Sequence, residues 1–276
     1  MPLVTLTTDI GIYDYIPGAI KGRLMQCNDQ FTIIDILHSL PPFNFPQAAY
    51  ICKNILNNYP AETLHIVLSN VFDEPPKQML FAAYKDQFIG CADNGLLAMI
   101  LEDEPAKVIG LPLPISESIS IFDCTTAIGN AFNALLSGKK LEDIGVNDVV
   151  YNIKNTIRPK LGQDWMEGQI IFIDNFENVI INITKSAFEE QRAGRGFKIV
   201  FKRDEVIDRI SGSYADVPHG EKLALFNSAG YLEIAINKGN AAGLLGLQGY
   251  TENSAASAQI INNKLIYQMV KIYFDE

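Results

Sequence analysis

The chain has 276 residues, is 48% hydrophobic and carries a formal charge of −10. That length fits one large or two ordinary domains, no apolar run reaches the roughly 18 residues of a membrane-spanning helix, and the acidic balance disfavours nucleic-acid phosphates while suiting a cationic small molecule. Cysteines 27, 52, 91 and 124 and histidines 38, 65 and 219 are too dispersed for a metal motif, so free thiols and no metal or cofactor are expected; the N-terminus lacks the pattern of a secretory signal, and the expected compartment is the cytoplasm.

The first residues, PLVTLTTDIGIYDYIPGAIKG, form a β-rich run ending at Asp9 and Gly11, then a second carboxylate, Asp14, before a helix-compatible stretch. A strand-to-helix turn of this kind sits at the carboxyl edge of an α/β sheet, where ligands bind. The β-type runs TIIDIL, LHIVLS, MLFAAY and AKVIGL follow, separated by PQAAYICKNILNNY and CTTAIGNAFNALLSG, whose apolar residues recur at helical spacing. Residues 1–154 are therefore expected to form an α/β domain, a mostly parallel sheet covered by helices. The polar NTIRPKLGQDW has a Pro and a Gly and no period, marking a linker at 155–166. From 167 to 276 the runs QIIFIDNF, NVIINI, FKIVFK, KLALFN, YLEIAIN and KLIYQMVKIYF predict a smaller antiparallel domain, a sandwich or barrel.

Within that second region, IDNFENVIINI (173–183) interrupts an apolar β run with Asp174, Phe176, Asn178 and Asn182. A carboxylate, an aromatic face and two amides at one place suit a nucleoside or an amino acid held on a strand pair and its turn. A plain hairpin with a polar tip accounts for the same residues.

Together with DILHSLPPFNFPQAAY (35–50), FIGCADNGLL (88–97) and NSAGYLEIAINKGNAAGLLGL (227–247), these stretches resemble, in order and over nearly the whole chain, the S-adenosylmethionine hydroxide adenosyltransferase family, relatives of the fluorinase and chlorinase enzymes. The resemblance implies an N-terminal α/β domain, a C-terminal β-barrel, and a homotrimer whose sites lie between subunits. It implies S-adenosylmethionine as substrate, attacked at C5′ by water or hydroxide to give adenosine and L-methionine. Residue by residue, Asp9 matches the carboxylate that takes the ribose hydroxyls, with a helix N-cap as the other reading. Asp14 matches an acid near the methionine end, and Phe43 a position beside the ligand that packing could also explain. Asp93 and Asn94 match a turn at a strand end. In the second domain Asp174 matches the partner of the α-ammonium, Phe176 the ring against adenine, and Asn178 the amide that reads adenine's edge. Ser228 and Asn237 lie in the second ligand-facing stretch.

Two departures bear on function. Ala229 and Ile236 stand where the halogenating relatives carry arginines, which weakens the match to the methionine carboxylate. The hydroxide-transferring members resemble one another in a DPGVGTxRR-type loop and a TFHGRD-type segment; here the loop reads NVFDEPPKQ, with Asn70 for the aspartate and Lys77 for the arginine, and the segment reads IFDCTT, with Asp123 for the histidine. Asn70, Lys77 and Asp123 are thus the candidate catalytic set, with a Lys77–Asp123 ion pair as one arrangement. Asp123, with a reference pKa of about 3.9, is a weak base at neutral pH unless burial raises it. A sulfonium leaves as a neutral thioether, so positioning, worth roughly 7–11 kcal/mol, carries more than a base that adds about 10²–10⁴-fold. The expected activity is slow S-adenosylmethionine hydrolysis; the alternative is a non-catalytic binder of adenosine or S-adenosylmethionine. Halogenation is disfavoured because NVFDEPPKQ lacks a Ser/Thr environment for a halide, and a Rossmann enzyme because no GxGxxG turn follows the first strand.

Overall fold

The structure, a computed structural model, describes residues 1–74, 76–102, 106–114, 118–202, 205–247 and 269–275. The chain divides into two units, Met1–Thr156 and Ile157–Glu276.

In the first unit the elements run β1 (Leu3–Thr8), α1 (Ile16–Cys27), β2 (Thr32–Leu37), α2 (Phe45–Leu56), β3 (Leu64–Leu68), β4 (Gln78–Tyr84), β5 (Gln87–Ala92), α3 (Leu96–Leu101), β6 (Lys107–Pro112) and α4 (Ile121–Leu136). The sheet order is β2-β1-β3-β5-β4-β6. The β2/β1, β1/β3 and β3/β5 pairs are parallel, as the alternation of strand and helix predicted, whereas β4 runs antiparallel to both β5 and β6. The β4–β5 connection is a tight turn with Lys85 in the left-handed region, too short for a crossover helix, so the pair can only be antiparallel.

LHIVL of β3 is buried along its whole length, as a strand covered on both faces must be. Period-2 alternation sends Ile66 into one core with Leu6, Leu24, Phe81, Ile128 and Phe132, the layer of α1 and α4, and Val67 into the other with Ala48, Cys52, Ile89 and Leu97, the layer of α2 and α3. The helices after β1 and β2 thus lie on opposite faces, and β1 sits between β2 and β3. That is a topological switch point, and it opens a crevice at the carboxyl ends of β1 and β3.

In the second unit β7 (Lys160–Leu161), β8 (Trp165–Ile173), β9 (Val179–Thr184), α5 (Lys185–Arg192), β10 (Phe197–Lys202), β11 (Glu205–Ile207), β12 (Lys222–Phe226), β13 (Tyr231–Ile236), α6 (Ala241–Leu244) and β14 (Met269–Phe274) follow. The strands take the order β11-β10-β14-β8-β9-β13-β12, every neighbour antiparallel. A bridge from Ile210 to Ala224, with Ser211 N–H donating to the Ala224 carbonyl at 2.7 Å, brings the chain after β11 against β12 and nearly closes a barrel. The expected run KLIYQMVKIYF is β14 from Met269 onward; residues 264–268 lie outside the described residues. Ile181, Ile183, Ile199, Ile234 and Ile272 fill the interior. Phe188 of α5 stands edge-on to Phe197 at 5.1 Å and also contacts Phe226 and Phe274. Among the described residues no helix is long and apolar enough to cross a membrane.

Candidate functional site

Asp9 is the first residue past β1, and the loop after β3 holds it. Its Oδ2 accepts the Asn70 N–H at 2.8 Å and the Ser69 hydroxyl at 3.4 Å, while its own N–H reaches the Leu68 carbonyl at 3.4 Å. Burial outweighs these bonds and raises the Asp9 pKa above the ordinary carboxylate value. The N-terminus of α1 is served instead by Asp14, whose Oδ1 accepts the Ile16 N–H at 3.0 Å on the exposed surface. Asp9 is therefore not the helix cap, and its second oxygen can take hydroxyl donors.

The loop that grips Asp9 is itself clamped. Asn94, just after β5, donates to the Ser69 carbonyl at 2.7 Å and the Asn70 carbonyl at 3.2 Å, and accepts the Leu96 N–H at 3.1 Å. Asp93 accepts from Gln78 Nε2 at 3.0 Å and from the Asn152 N–H at 2.7 Å. Asn70 adopts φ 47° and Phe43 φ 62°, left-handed values that cost non-glycine residues energy and cluster at functional sites. The two are joined, since Asn70 Oδ1 accepts the Phe43 N–H at 3.3 Å. Phe43 is 65% exposed, so its ring stands at the rim and not in the core.

An open cleft of about 640 Å³ at this edge is lined by Asp9, Phe43, Asn70, Phe72, Asp73 and Ser120, with apolar neighbours from α1 and the 119–121 segment. A second cleft of about 420 Å³ shares Asn70, Val71 and Asp73 with the first and is lined besides by Lys77, Asp93, Asn94 and residues 150–154. The structure thus gathers Asp9, Phe43 and Asn70 and puts Lys77 in the neighbouring cleft. Asp123 lines neither. It is the N3 residue of α4, where its Oδ2 accepts the Ser120 N–H at 2.8 Å and the Ser120 hydroxyl at 2.6 Å, a capping box. Those bonds, the Ser120 hydroxyl first, hold its carboxyl below the usual range. Among the described residues Asp123 forms no ion pair with Lys77. Ser120 and Asp73 are cleft residues that matching to the family pattern passed over; S-x-x-D before an apolar run was the available signal for Ser120.

In the second unit Asp174, Phe176 and Asn178 share the β8–β9 turn. Asp174 Oδ1 accepts the N–H groups of Phe176 and Asn178, both at 2.9 Å, and its Oδ2 accepts Asn178 Nδ2 at 3.0 Å. The hairpin reading thus accounts for much of the polar tip, yet Phe176 is left 76% exposed. Asn182 is structural, bonded to the Gln169 N–H and the Ile157 carbonyl. Asn237, past the end of β13 nearest this turn, spends its Nδ2 on the Val217 carbonyl at 2.7 Å. Ser228 lies at the opposite end of β13, exposed at the tip of the β12–β13 turn. A group unmarked in the sequence lies between: Glu233, 3% exposed on β13, accepts the Tyr214 hydroxyl at 2.7 Å. Burial raises the pKa of both, and the nearby Asp174 charge adds to it.

Each unit therefore offers a fixed carboxylate beside an exposed aromatic ring, groups suited to sugar hydroxyls or an ammonium and to a flat base. Comparison with known proteins agrees. Residues 4–145 match the model of the SAM hydroxide adenosyltransferase N-terminal domain, and residues 168–252 that of the C-terminal domain. The (R)-S-adenosyl-L-methionine hydrolase of Methanocaldococcus jannaschii is 25% identical, over 89% of this chain and 92% of the relative. The enzyme of the same name from Thermus thermophilus is also 25% identical, over 89% and 96%, and a fluorinase of Nocardia brasiliensis 22%, over 87% and 92%. A conserved protein of Thermotoga maritima shares the fold at a TM-score of 0.78 and 23% identity, over 98% of this chain and 99% of that one. With both of its regions matched in order, the chain belongs to the SAM hydroxide adenosyltransferase family.

Proposed function

We propose that this protein cleaves S-adenosyl-L-methionine by attack of water at C5′, giving adenosine and L-methionine. The observation that carries the reading is the Asp9 carboxylate at the β1/β3 switch point, fixed through one oxygen by Asn70 and Ser69 in a cleft rimmed by Phe43. The hydrolase names of the relatives support it. In this reading Asp9 takes the ribose hydroxyls with Phe43 beside the ligand, Asn70 orients groups in the same cleft, and in the second unit Phe176 is the ring against adenine. Asp174 uses three of the roughly four acceptor positions of a carboxylate within its turn, which leaves room for an ammonium. Asn178 keeps one amide N–H and its carbonyl for adenine's edge. Asp14, Ser228 and Asn237 belong to the proposal as the outer contacts, and Lys77 supplies positive charge to the loop. The C5′–S bond breaks with its electron pair going to sulfur, so the positive charge disappears and no acid is needed at the leaving group. Slow turnover follows, since the family's aspartate, arginine and histidine are replaced.

A second reading, a binder that kept the nucleoside site, is favoured by the engagement of Asp123 in a helix cap and the position of Lys77 in the neighbouring cleft. Incubation of purified protein with S-adenosylmethionine and chromatography for adenosine and methionine separates the two. Release above the uncatalysed background establishes the enzyme. Adenosine binding by calorimetry without release establishes the binder, and Asp9→Ala should then weaken adenosine by roughly 1.5–3 kcal/mol. To the same proposal belong the homotrimer with sites shared between subunits, checked by light scattering, and a cytoplasmic setting, which suits four free cysteines.

A further inference from the structure

With the family's catalytic set displaced, solvent alone can take the proton of the attacking water slowly, and a carboxylate elsewhere in the cleft would speed the step. Asn70 is an amide whose oxygen already accepts the Phe43 N–H, Lys77 is a cation in the neighbouring cleft, and Asp123 is bound to Ser120. Among the described residues, two ionisable side chains line the 640 Å³ cleft, Asp9 and Asp73. Asp9 is committed through one oxygen to the loop and through the other to the ribose. Asp73 differs on each count. It lies three residues beyond Asn70 in the same turn, which its own N–H closes onto the Asn70 carbonyl at 3.3 Å, and it is exposed. Among the described residues its carboxylate has no ion pair and no side-chain hydrogen bond.

We propose that Asp73 is the carboxylate that orients the nucleophilic water and takes its proton, an inference that rests on the S-adenosylmethionine-cleaving reading above. The carboxylate has moved along the loop from position 70 to position 73, and the 70–74 turn presents it beside Asp9 in one cleft. The step balances: the water oxygen forms the bond to C5′, the C5′–S bond breaks and its pair stays on sulfur, one water proton passes to Asp73, and from that exposed side chain it is returned to solvent. Water held by one anionic acceptor is favoured over a halide, which the same charge repels.

The test is steady-state kinetics of Asp73→Asn beside wild type, with adenosine affinity and thermal melting measured on both. The expected result is a kcat lower by about 10²-fold or more, KM and adenosine affinity within twofold, and an unchanged melt. Asp73→Glu should recover part of the rate. A wild-type protein that releases no adenosine overturns the cleavage reading and this assignment with it. Turnover that Asp73→Asn leaves unchanged, or a raised KM at constant kcat, overturns the assignment of Asp73 alone.

Discussion

Asp9 combines two demands that oppose each other. Its pKa is raised in the folded protein above the ordinary carboxylate value of about 3.8 because burial penalises the anion. The folded state then holds the proton more tightly than the unfolded chain, so Asp9 subtracts stability as pH rises from about 3.8 through the raised value. Asn in its place keeps an acceptor for the Asn70 N–H and removes the buried charge. Asp9→Asn should melt higher than wild type at pH 7 without ligand, the gap shrinking toward pH 4, and should bind adenosine more weakly. A lower melting temperature at pH 7 would show that the anion is needed to fold the edge. Asp9 was legible because an acid directly after a β run marks a sheet edge. Asn94 was legible only as a turn, because its acceptors are the carbonyls of residues 69 and 70, which the fold and not the sequence brings near. Asp123 illustrates the opposite case: attention to its match with a family histidine passed over the S-x-x-D box that the structure shows formed.

At the scale of elements, the strands were legible where apolar residues run or alternate, and the missed pieces share a physical reason. β5 passed as the flank of a turn because FIGCA is short and carries Gly90, against which Ile128 packs. α3 is six residues, five of them buried, too short to show a period. α5, KSAFEEQR, has one large apolar residue beside a single Ala, and one buried anchor defines no stripe. That anchor, Phe188, is fully buried against three other rings. Phe188→Ala should cost about 3–5 kcal/mol in urea unfolding of the whole chain, the range for emptying an aromatic core site. A loss below 1 kcal/mol would mean that α5 is dispensable to the barrel. The polar tip of the β8–β9 turn follows the same rule: Asp174, Phe176 and Asn178 were legible as a cluster because one turn carries them, whereas Glu233 and Tyr214 meet only through the fold.

For the molecule as a whole, the response to acid has a second contributor of opposite sign to Asp9. His65 on β3 is buried with Nδ1 2.8 Å from Thr5 Oγ1, and burial lowers its pKa to about 4. The unfolded chain binds this proton first, so the stability that neutral His65 permits is present above pH 6.5 and is lost as pH falls toward 4, on the order of a few kcal/mol. His65→Gln should flatten the fall in urea midpoint between pH 6.5 and 4. A slope equal to that of wild type would assign the acid sensitivity to other groups.

The bridge between Ile210 and Ala224 has a consequence for how the protein survives in a crowded solution. An open antiparallel sheet ends in two rows of unpaired amides that recruit strands from other molecules, and an incomplete barrel has both. Here one bridge and the Lys222–Glu205 ion pair span the gap between β12 and β11. The three-residue length of β11 and the charges on both sides make the seam a poor template for a foreign strand. Protection against aggregation in the second unit is therefore concentrated in a few residues at one seam, remote in sequence from the turn that carries Asp174.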